Sequence, residues 1–194
     1  MRSRLPLTVL CLSAVFFPAV PATAQDVPAA KRAVIAETDR LTGEIARMAS
    51  TLWQYSELAL SEQRSAAFLA DILEREGFRV ERGAAGMPTA FVASFGSGSP
   101  VIGILAEYDA LPGIGNEAVP RKQPRADGVT AGQGCGHDLF GAGSVGAAIA
   151  LKRTMESQKL RGTLRLYGTP AEETGIGKVY MARDRLFHDL DAAL

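Results

Sequence analysis

The sequence predicts an α/β fold in which helices cover a sheet of short strands. Amphipathic helical patterns alternate along the chain with short apolar runs rich in β-forming residues, which is typical of that class. The composition agrees, because 47% of the residues are hydrophobic and 22% are charged, as in ordinary globular proteins. A length of 194 residues fits one domain or part of a larger one.

Four segments predict helices. In the first two, apolar residues recur at helical spacing with charged residues between them. The third is rich in Ala and Gly, so we expect it to pack closely against a neighbour. The four segments are 31–48, 61–76, 139–157 and 175–186.

Four shorter segments predict strands, at 78–81, 89–95, 101–105 and 163–167. Gly and Ser residues at 96–99 separate the second from the third, which predicts a hairpin or a short loop between neighbouring strands. Residues 111–136 hold many Gly, Pro and charged residues and no periodic pattern. They predict a loop, and loops of this length are usually functional or disordered.

The first residues predict a cleavable signal peptide over residues 1–24. Arg2 and Arg4 precede an apolar run at 5–20, and Ala22-Thr23-Ala24 forms an A-x-A cleavage site. The run is shorter than the roughly 20 residues that a membrane-spanning helix needs. The sequence therefore predicts a periplasmic or secreted protein.

The rest of the chain, 25–194, keeps one cysteine, Cys135, because Cys11 lies in the leader. A lone cysteine in an exported protein is buried and inert, paired between chains, or used chemically. Lys plus Arg and Asp plus Glu both number 21, so the chain has no net charge. This balance argues against a broad basic face, so we expect no nucleic-acid partner and no membrane partner after leader removal.

Three short segments carry residue types suited to chemistry. Glu107 and Asp109 follow the third predicted strand at i and i+2, a spacing that puts both on one face of a strand. Cys135 and His137 lie two residues apart among glycines, and an acidic pair, 172–173, follows the fourth predicted strand. Ligands of α/β sheets bind outside the carboxyl ends of the strands, where both acidic segments fall.

Thiolate, imidazole and carboxylate groups are the protein ligands of zinc and similar divalent ions. Of two adjacent glutamates, one can bind the ion while the other takes a proton from a water molecule that the ion activates. Each motif alone also fits a chance pairing, a solvated acidic surface or a turn cap. Their combination and order favour a metal site.

With these motifs the chain resembles metallopeptidase family twenty, which contains aminoacylases, carboxypeptidases and N-acyl amino-acid amidohydrolases. The segments that carry the resemblance are Leu105-Ala106-Glu107-Tyr108-Asp109-Ala110-Leu111-Pro112, Gly134-Cys135-Gly136-His137-Asp138 and Gly168-Thr169-Pro170-Ala171-Glu172-Glu173. Within the family it looks most like the aminobenzoyl-glutamate hydrolase branch. The resemblance implies the N-terminal portion of a three-layer, zinc-peptidase-like catalytic domain with a central mixed sheet.

The resemblance also implies roles for individual residues. Cys135, His137 and Glu173 match the family's metal ligands, Glu172 matches the general base, and Asp109 matches the acidic residue that orients the site. The role of Glu107 stays open. The implied reaction is hydrolysis of the amide bond in N-acyl or N-aroyl amino acids, with a small N-acyl amino acid or a short peptide as substrate.

Relatives of this family are about twice as long, with a dimerisation domain and further His ligands that this chain lacks. We therefore expect a truncated chain that binds metal poorly and hydrolyses little, and a homo-oligomer for the complete protein. A complete site is expected to hold two divalent ions, Zn or Mn in the first place, with Co or Ni as further options. His188 matches no motif.

Three other hypotheses remain open at this point. Residues 141–146 fit G-x-G-x-x-G, a dinucleotide-binding pattern that needs a strand immediately before it. Cys135 with His137 could serve a cysteine hydrolase, although such partners usually come from distant segments. The chain could also be a non-catalytic exported remnant or binding module of the same fold.

Overall fold

The computed structural model describes residues 28–194, so the predicted leader 1–24 lies outside the described residues. Within them lie four α-helices and five strands, of which the fifth strand was not predicted from the sequence. The helices are α1 (Ala29–Tyr55), α2 (Gln63–Arg75), α3 (His137–Gln158) and α4 (Gly177–Arg183). The strands are β1 (Arg79–Arg82), β2 (Phe91–Ser97), β3 (Val101–Ala106), β4 (Gly162–Gly168) and β5 (Ala192–Ala193).

All four predicted helices are confirmed, with different ends. The first extends to Tyr55, where Ser56 turns into the left-handed conformation and its N–H bonds back to the carbonyl of Leu52. The third begins at His137, directly after Gly136, whose φ of 77° ends the loop that precedes it. The fourth covers only the middle of its predicted range. The loop predicted at 111–136 is confirmed, because it contains no helix or strand and one isolated bridge, between Leu111 and Gly132.

The sheet is mixed, with the strand order β1-β2-β4-β3-β5. Strand β2 runs antiparallel to β1 and β4, whereas β3 runs parallel to β4 and β5. The prediction that β2 and β3 are neighbours is therefore wrong, since β4 lies between them. Turn residues permit either arrangement locally. In this structure the connection between β2 and β3 passes across the start of β4. There the hydroxyl of Thr163 donates to the carbonyl of Gly98 at 2.8 Å.

The main core lies between one face of the sheet and helices α1, α2 and α3. Close packing of α3 is confirmed by its small residues. A Cβ at Gly146 would lie 2.5 Å from the side chain of Ile45 on α1, and one at Gly141 would lie 2.5 Å from the carbonyl oxygen of Glu107. A smaller cluster on the opposite face packs Met181 of α4 near Val92.

This topology brings two strand ends together. Strands β3 and β4 are parallel, with Ala106 in register with Gly168, so both end at the same edge of the sheet. Helix α3 begins at that edge with His137. The described residues include no helix that is both long and apolar enough to span a membrane.

Candidate metal centre

The segment after β3 points its side chains in two directions. Tyr108 is fully buried, and its hydroxyl donates to the carbonyl of Thr89 at 2.5 Å. Burial raises the pKa of this phenol well above its usual value. Strand β3 ends at Ala106, so the prediction that Glu107 and Asp109 share one face of a strand is wrong. Both carboxylates nevertheless reach one imidazole, from opposite sides.

That imidazole belongs to His137, which is buried. Its Nδ1 lies 3.1 Å from Oδ1 of Asp109 and 3.0 Å from the carbonyl oxygen of the same residue. Its Nε2 lies 3.1 Å from Oε2 of Glu107. Two oxygens facing Nδ1 place a proton there, which leaves Nε2 as the nitrogen able to bind an ion in the neutral ring.

The electrostatics of this pair follow from the same contacts. The hydrogen bond to Asp109 raises the pKa of His137 to about 9, against the lowering effect of burial. Burial raises the pKa of Asp109, but the hydrogen bonds from His137 and from the N–H of Glu173 outweigh it, so the net pKa is below its usual value. Asp109 is therefore an ionised carboxylate that fixes the ring.

The segment after β4 brings the acidic pair to the same place. The N–H of Glu173 donates to Oδ2 of Asp109 at 2.9 Å. Oε1 of Glu173 is buried and has no hydrogen-bond partner, which is a costly state for a carboxylate oxygen. The side chain of Glu172 is 40% exposed, and its Oε2 lies 3.7 Å from Nε2 of His137.

In the part of the chain that the structure describes, two groups of three donor atoms lie at this edge. Within each group the three atoms lie within 4.8 Å of one another. One is formed by Cys135, His137 and Glu173, the other by Glu107, His137 and Glu172. The first is the ligand set predicted from the sequence. Cys135 is exposed, and its hydrogen bond with Glu173 is the main cause that raises the pKa of its thiol.

All the predicted site residues are thus brought together, and their individual roles remain predictions. His188 stands apart, since its ring bonds the carbonyl of Arg185. Two residues that were not predicted as site residues also make contacts here. The ammonium of Lys178 on α4 pairs with Glu107. The side-chain oxygen of Gln133 accepts a hydrogen bond from the N–H of Asp138 at 3.2 Å, which satisfies one N–H at the start of α3. No local pattern marks either residue.

The geometry also decides between the rival hypotheses. The glycine pattern 141–146 lies inside α3, and no strand immediately precedes it, so the dinucleotide hypothesis is wrong. The cysteine hydrolase is disfavoured, because the carboxylate of Glu173 raises the pKa of the Cys135 thiol, whereas a nucleophilic cysteine needs a lowered pKa.

Comparison with known proteins finds similarity to one peptidase family. Residues 103–194 match the model of Peptidase family M20/M25/M40. The chain is 44% identical over 147 residues to a p-aminobenzoyl-glutamate hydrolase subunit of Escherichia coli (strain K12). Over these residues the chain is similar to Peptidase family M20/M25/M40. That match covers 76% of this chain and 31% of the relative.

Other M20-like relatives show the same pattern of coverage. The chain is 32% identical over 145 residues to the N-acetyl-L-cysteine deacetylase of Bacillus subtilis (strain 168), covering 74% of this chain and 33% of the relative. The chain thus spans about a third of the length of these curated relatives.

Solved structures agree on the M20 fold. The YXEP protein of Bacillus subtilis, described as a dinuclear metal-binding peptidase from the M20 family, matches with a TM-score of 0.65 at 24% identity, over 82% of this chain and 42% of that one. The aminobenzoyl-glutamate utilization protein of Klebsiella pneumoniae matches with a TM-score of 0.60 at 17% identity, over 82% and 44%. These likenesses support the α/β catalytic-domain fold with a central mixed sheet.

Proposed function

We propose that this chain carries part of the active site of a metal-dependent hydrolase that cleaves amide bonds in N-acyl or N-aroyl amino acids. One observation carries the proposal: donor atoms of Cys135, His137 and Glu173 converge within 4.8 Å at the carboxyl edge of β3 and β4. Similarity to the M20 family supports the reaction class.

The donors fit a divalent cation. Oε1 of Glu173 is buried and unpaired, so a cation would satisfy it. Sulfur, nitrogen and oxygen donors suit Zn, Mn, Co or Ni, and Zn or Mn is our first expectation. A bound cation would supply Lewis acidity, which polarises a substrate carbonyl and makes a water molecule more acidic.

A complete site holding two ions is part of the proposal, and the second group formed by Glu107, His137 and Glu172 supports it. Because His137 belongs to both groups, the described residues supply one full set of three donors at a time. A catalytic zinc commonly takes three protein ligands. We therefore propose that the 194-residue chain binds metal weakly and turns over slowly on its own.

The chain's own residues divide the remaining work. Glu172 is the half-exposed carboxylate beside Nε2 of His137, so it is placed to take a proton from water and deliver it to the departing amine nitrogen. Asp109 holds the imidazole of His137 through Nδ1 and holds Glu173 through its backbone N–H. Lys178 holds the carboxylate of Glu107.

The proposed substrates resemble aminobenzoyl-glutamate. The names of three relatives support this class: p-aminobenzoyl-glutamate hydrolase, N-acetyl-L-cysteine deacetylase and hippurate hydrolase of Campylobacter jejuni. Each of these enzyme names contains the name of a substrate that is an amino acid with an acyl or aroyl group on its nitrogen. We further propose export through the leader 1–24 and a homo-oligomer for the complete protein.

Titration of the purified chain with Mn²⁺ and Zn²⁺, followed by assay with p-aminobenzoyl-glutamate, tests the proposal. We expect saturable binding by calorimetry and slow, chelator-sensitive hydrolysis. Glu172→Gln should retain the metal and lose hydrolysis, because the amide cannot accept a proton. Hydrolysis that survives both chelator and Glu172→Gln would reject the proposed mechanism. Binding without any hydrolysis would favour the non-catalytic module.

A further inference from the structure

A buried carboxylate lies behind the proposed metal centre and belongs to none of its donor groups. Glu62 precedes the first turn of α2, and its side chain is fully buried. It does not cap its own helix. Oε1 of Glu62 instead accepts the backbone N–H of Ala171 at 2.8 Å, across 109 residues of sequence. Glutamate side chains are almost never fully buried unless they are paired, so this long-range contact indicates a structural task for Glu62.

The residue that Glu62 holds is conformationally unusual. Ala171 has a φ of 58°, the left-handed region that residues with a Cβ rarely adopt. Its carbonyl is also held, by the hydroxyl of Thr174 at 3.0 Å and the N–H of Ile176 at 3.3 Å. Strained backbone of this kind persists only where the surroundings fix it.

Ala171 lies immediately before the acidic pair. A change of its backbone angles would redirect Glu172 and Glu173 together, because both follow it without an intervening element. Asp109 holds the second of them through the N–H of Glu173. The segment is therefore fixed at two amides by two carboxylates, one inside the metal centre and one behind it.

We infer that Glu62 is a positioning residue, which holds Ala171 in the left-handed conformation and thereby aims Glu172 and Glu173 at the metal centre. The Glu62–Ala171 contact is a feature of the structure alone. Its expected effect on metal binding rests on the proposed function. The hydrogen bond needs an acceptor oxygen, so an amide at position 62 should serve as well as a carboxyl.

Three variants of the full chain test the contact. Glu62→Leu removes the acceptor, Glu62→Gln keeps it, and the double variant Glu62→Leu with Ala171→Gly removes the need for it, because Gly adopts a positive φ freely. The matched control is Glu57→Leu, since Glu57 is another carboxylate that bonds the start of α2 and accepts the N–H of Ser65 at 2.8 Å. That contact lies outside the 169–173 segment.

Two readouts are needed. Amide hydrogen exchange of the peptide covering 169–175 should be at least about tenfold faster in Glu62→Leu and unchanged in Glu62→Gln and Glu57→Leu. Calorimetric affinity for Mn²⁺ should fall about tenfold in Glu62→Leu, stay within about twofold in Glu62→Gln and Glu57→Leu, and recover in part in the double variant. Thermal melting of each variant separates a general loss of stability from this local effect.

The results distinguish the inference from the proposed function. If the wild-type chain shows no Mn²⁺ binding that depends on His137, the proposed function fails, and hydrogen exchange still decides whether Glu62 holds the segment. Equal exchange in Glu62→Leu and wild type overturns the inference, as does equal Mn²⁺ affinity in a folded Glu62→Leu. If Glu62→Leu does not fold, Glu62→Asp, which is one methylene too short for the contact, takes its place under the same criteria.

Discussion

Two irregular segments deliver the donors of the metal centre, and they are built differently. The segment after β4, residues 169–176, is short and buried over its first three residues, and the amides of Ala171 and Glu173 bond to Glu62 and Asp109. The loop 111–136 is long and largely exposed, and it presents Cys135 on the surface. The backbone that carries Glu173 is thus held by two buried carboxylates, whereas the thiol donor lies exposed near the end of the long loop.

One side chain of the long loop, that of Arg125, ties it to the end of α1. Arg125 is almost completely buried, donates to the carbonyls of Trp53 and Gln54 at the end of α1, and stacks on the ring of Trp53 at 4.2 Å. It also pairs with Asp127 in its own loop. A guanidinium suits this task because its planar fork serves several acceptors at once.

Substitution of His137, which belongs to both donor groups, should reduce metal affinity more than any other change. His137→Ala removes the donor shared by both groups, so we expect metal affinity to fall by more than about 100-fold. Calorimetry with Mn²⁺ or Zn²⁺ measures it. His188→Ala is the control, because that ring lies on the surface away from the centre. Unchanged affinity in His137→Ala would remove the metal centre from this edge.

Release of the long loop should cost less and leave the short segment intact. Arg125→Met removes the donors to α1 and leaves their acceptors unpaired, so we expect about 2 kcal/mol of lost stability, with faster proteolysis within 111–136. Arg121→Met is the control, because the side chain of Arg121 bonds the nearby Gln123 in its own loop and does not reach α1. Denaturant unfolding and limited proteolysis measure both. Equal loosening of 169–176 would show that the two segments are not independent.

The link between the segments runs through Asp109, which contacts both His137 and the backbone of Glu173. Asp109→Asn keeps the shape and removes the charge, so we expect metal affinity to fall by about 10- to 100-fold without loss of the fold. Calorimetry measures the affinity and circular dichroism checks the fold. An affinity equal to that of the wild type would exclude the orienting role.

The smallest effect is a pH dependence at Glu62. Burial raises the pKa of this carboxyl above its usual value of 4.5. Folding therefore favours its protonated form, and this contribution to stability is full below pH 4.5 and is lost as the pH rises through the folded-state pKa. Glu62→Gln lacks the titration, so wild type should lose stability relative to it as the pH rises from about 4.5 towards neutrality. Urea unfolding at several pH values measures the difference, and a constant or reversed difference contradicts the prediction.

The sequence predicted most of the local structure because that structure depends on nearby residues. All four helices were predicted, the first two from helical periodicity, and the composition of 111–136 identified the loop. Strand pairing was predicted incorrectly at residues 96–99, since the choice of β4 as the neighbour of β2 depends on residues far along the chain. Glu62 and Lys178 were missed for the same reason, because their partners in the site lie 109 and 71 residues away.

The amino-acid sequence by itself determined which chemical groups the proposed centre can use: the thiol of Cys135, the imidazole of His137 and a set of carboxylates near strand and helix ends. Only the tertiary structure decided that they share one location and in which directions they point. Parallel pairing of β3 with β4 brings both strand ends to one edge. Burial then removes water as a competing partner for His137 and Asp109, so these two side chains bond to each other.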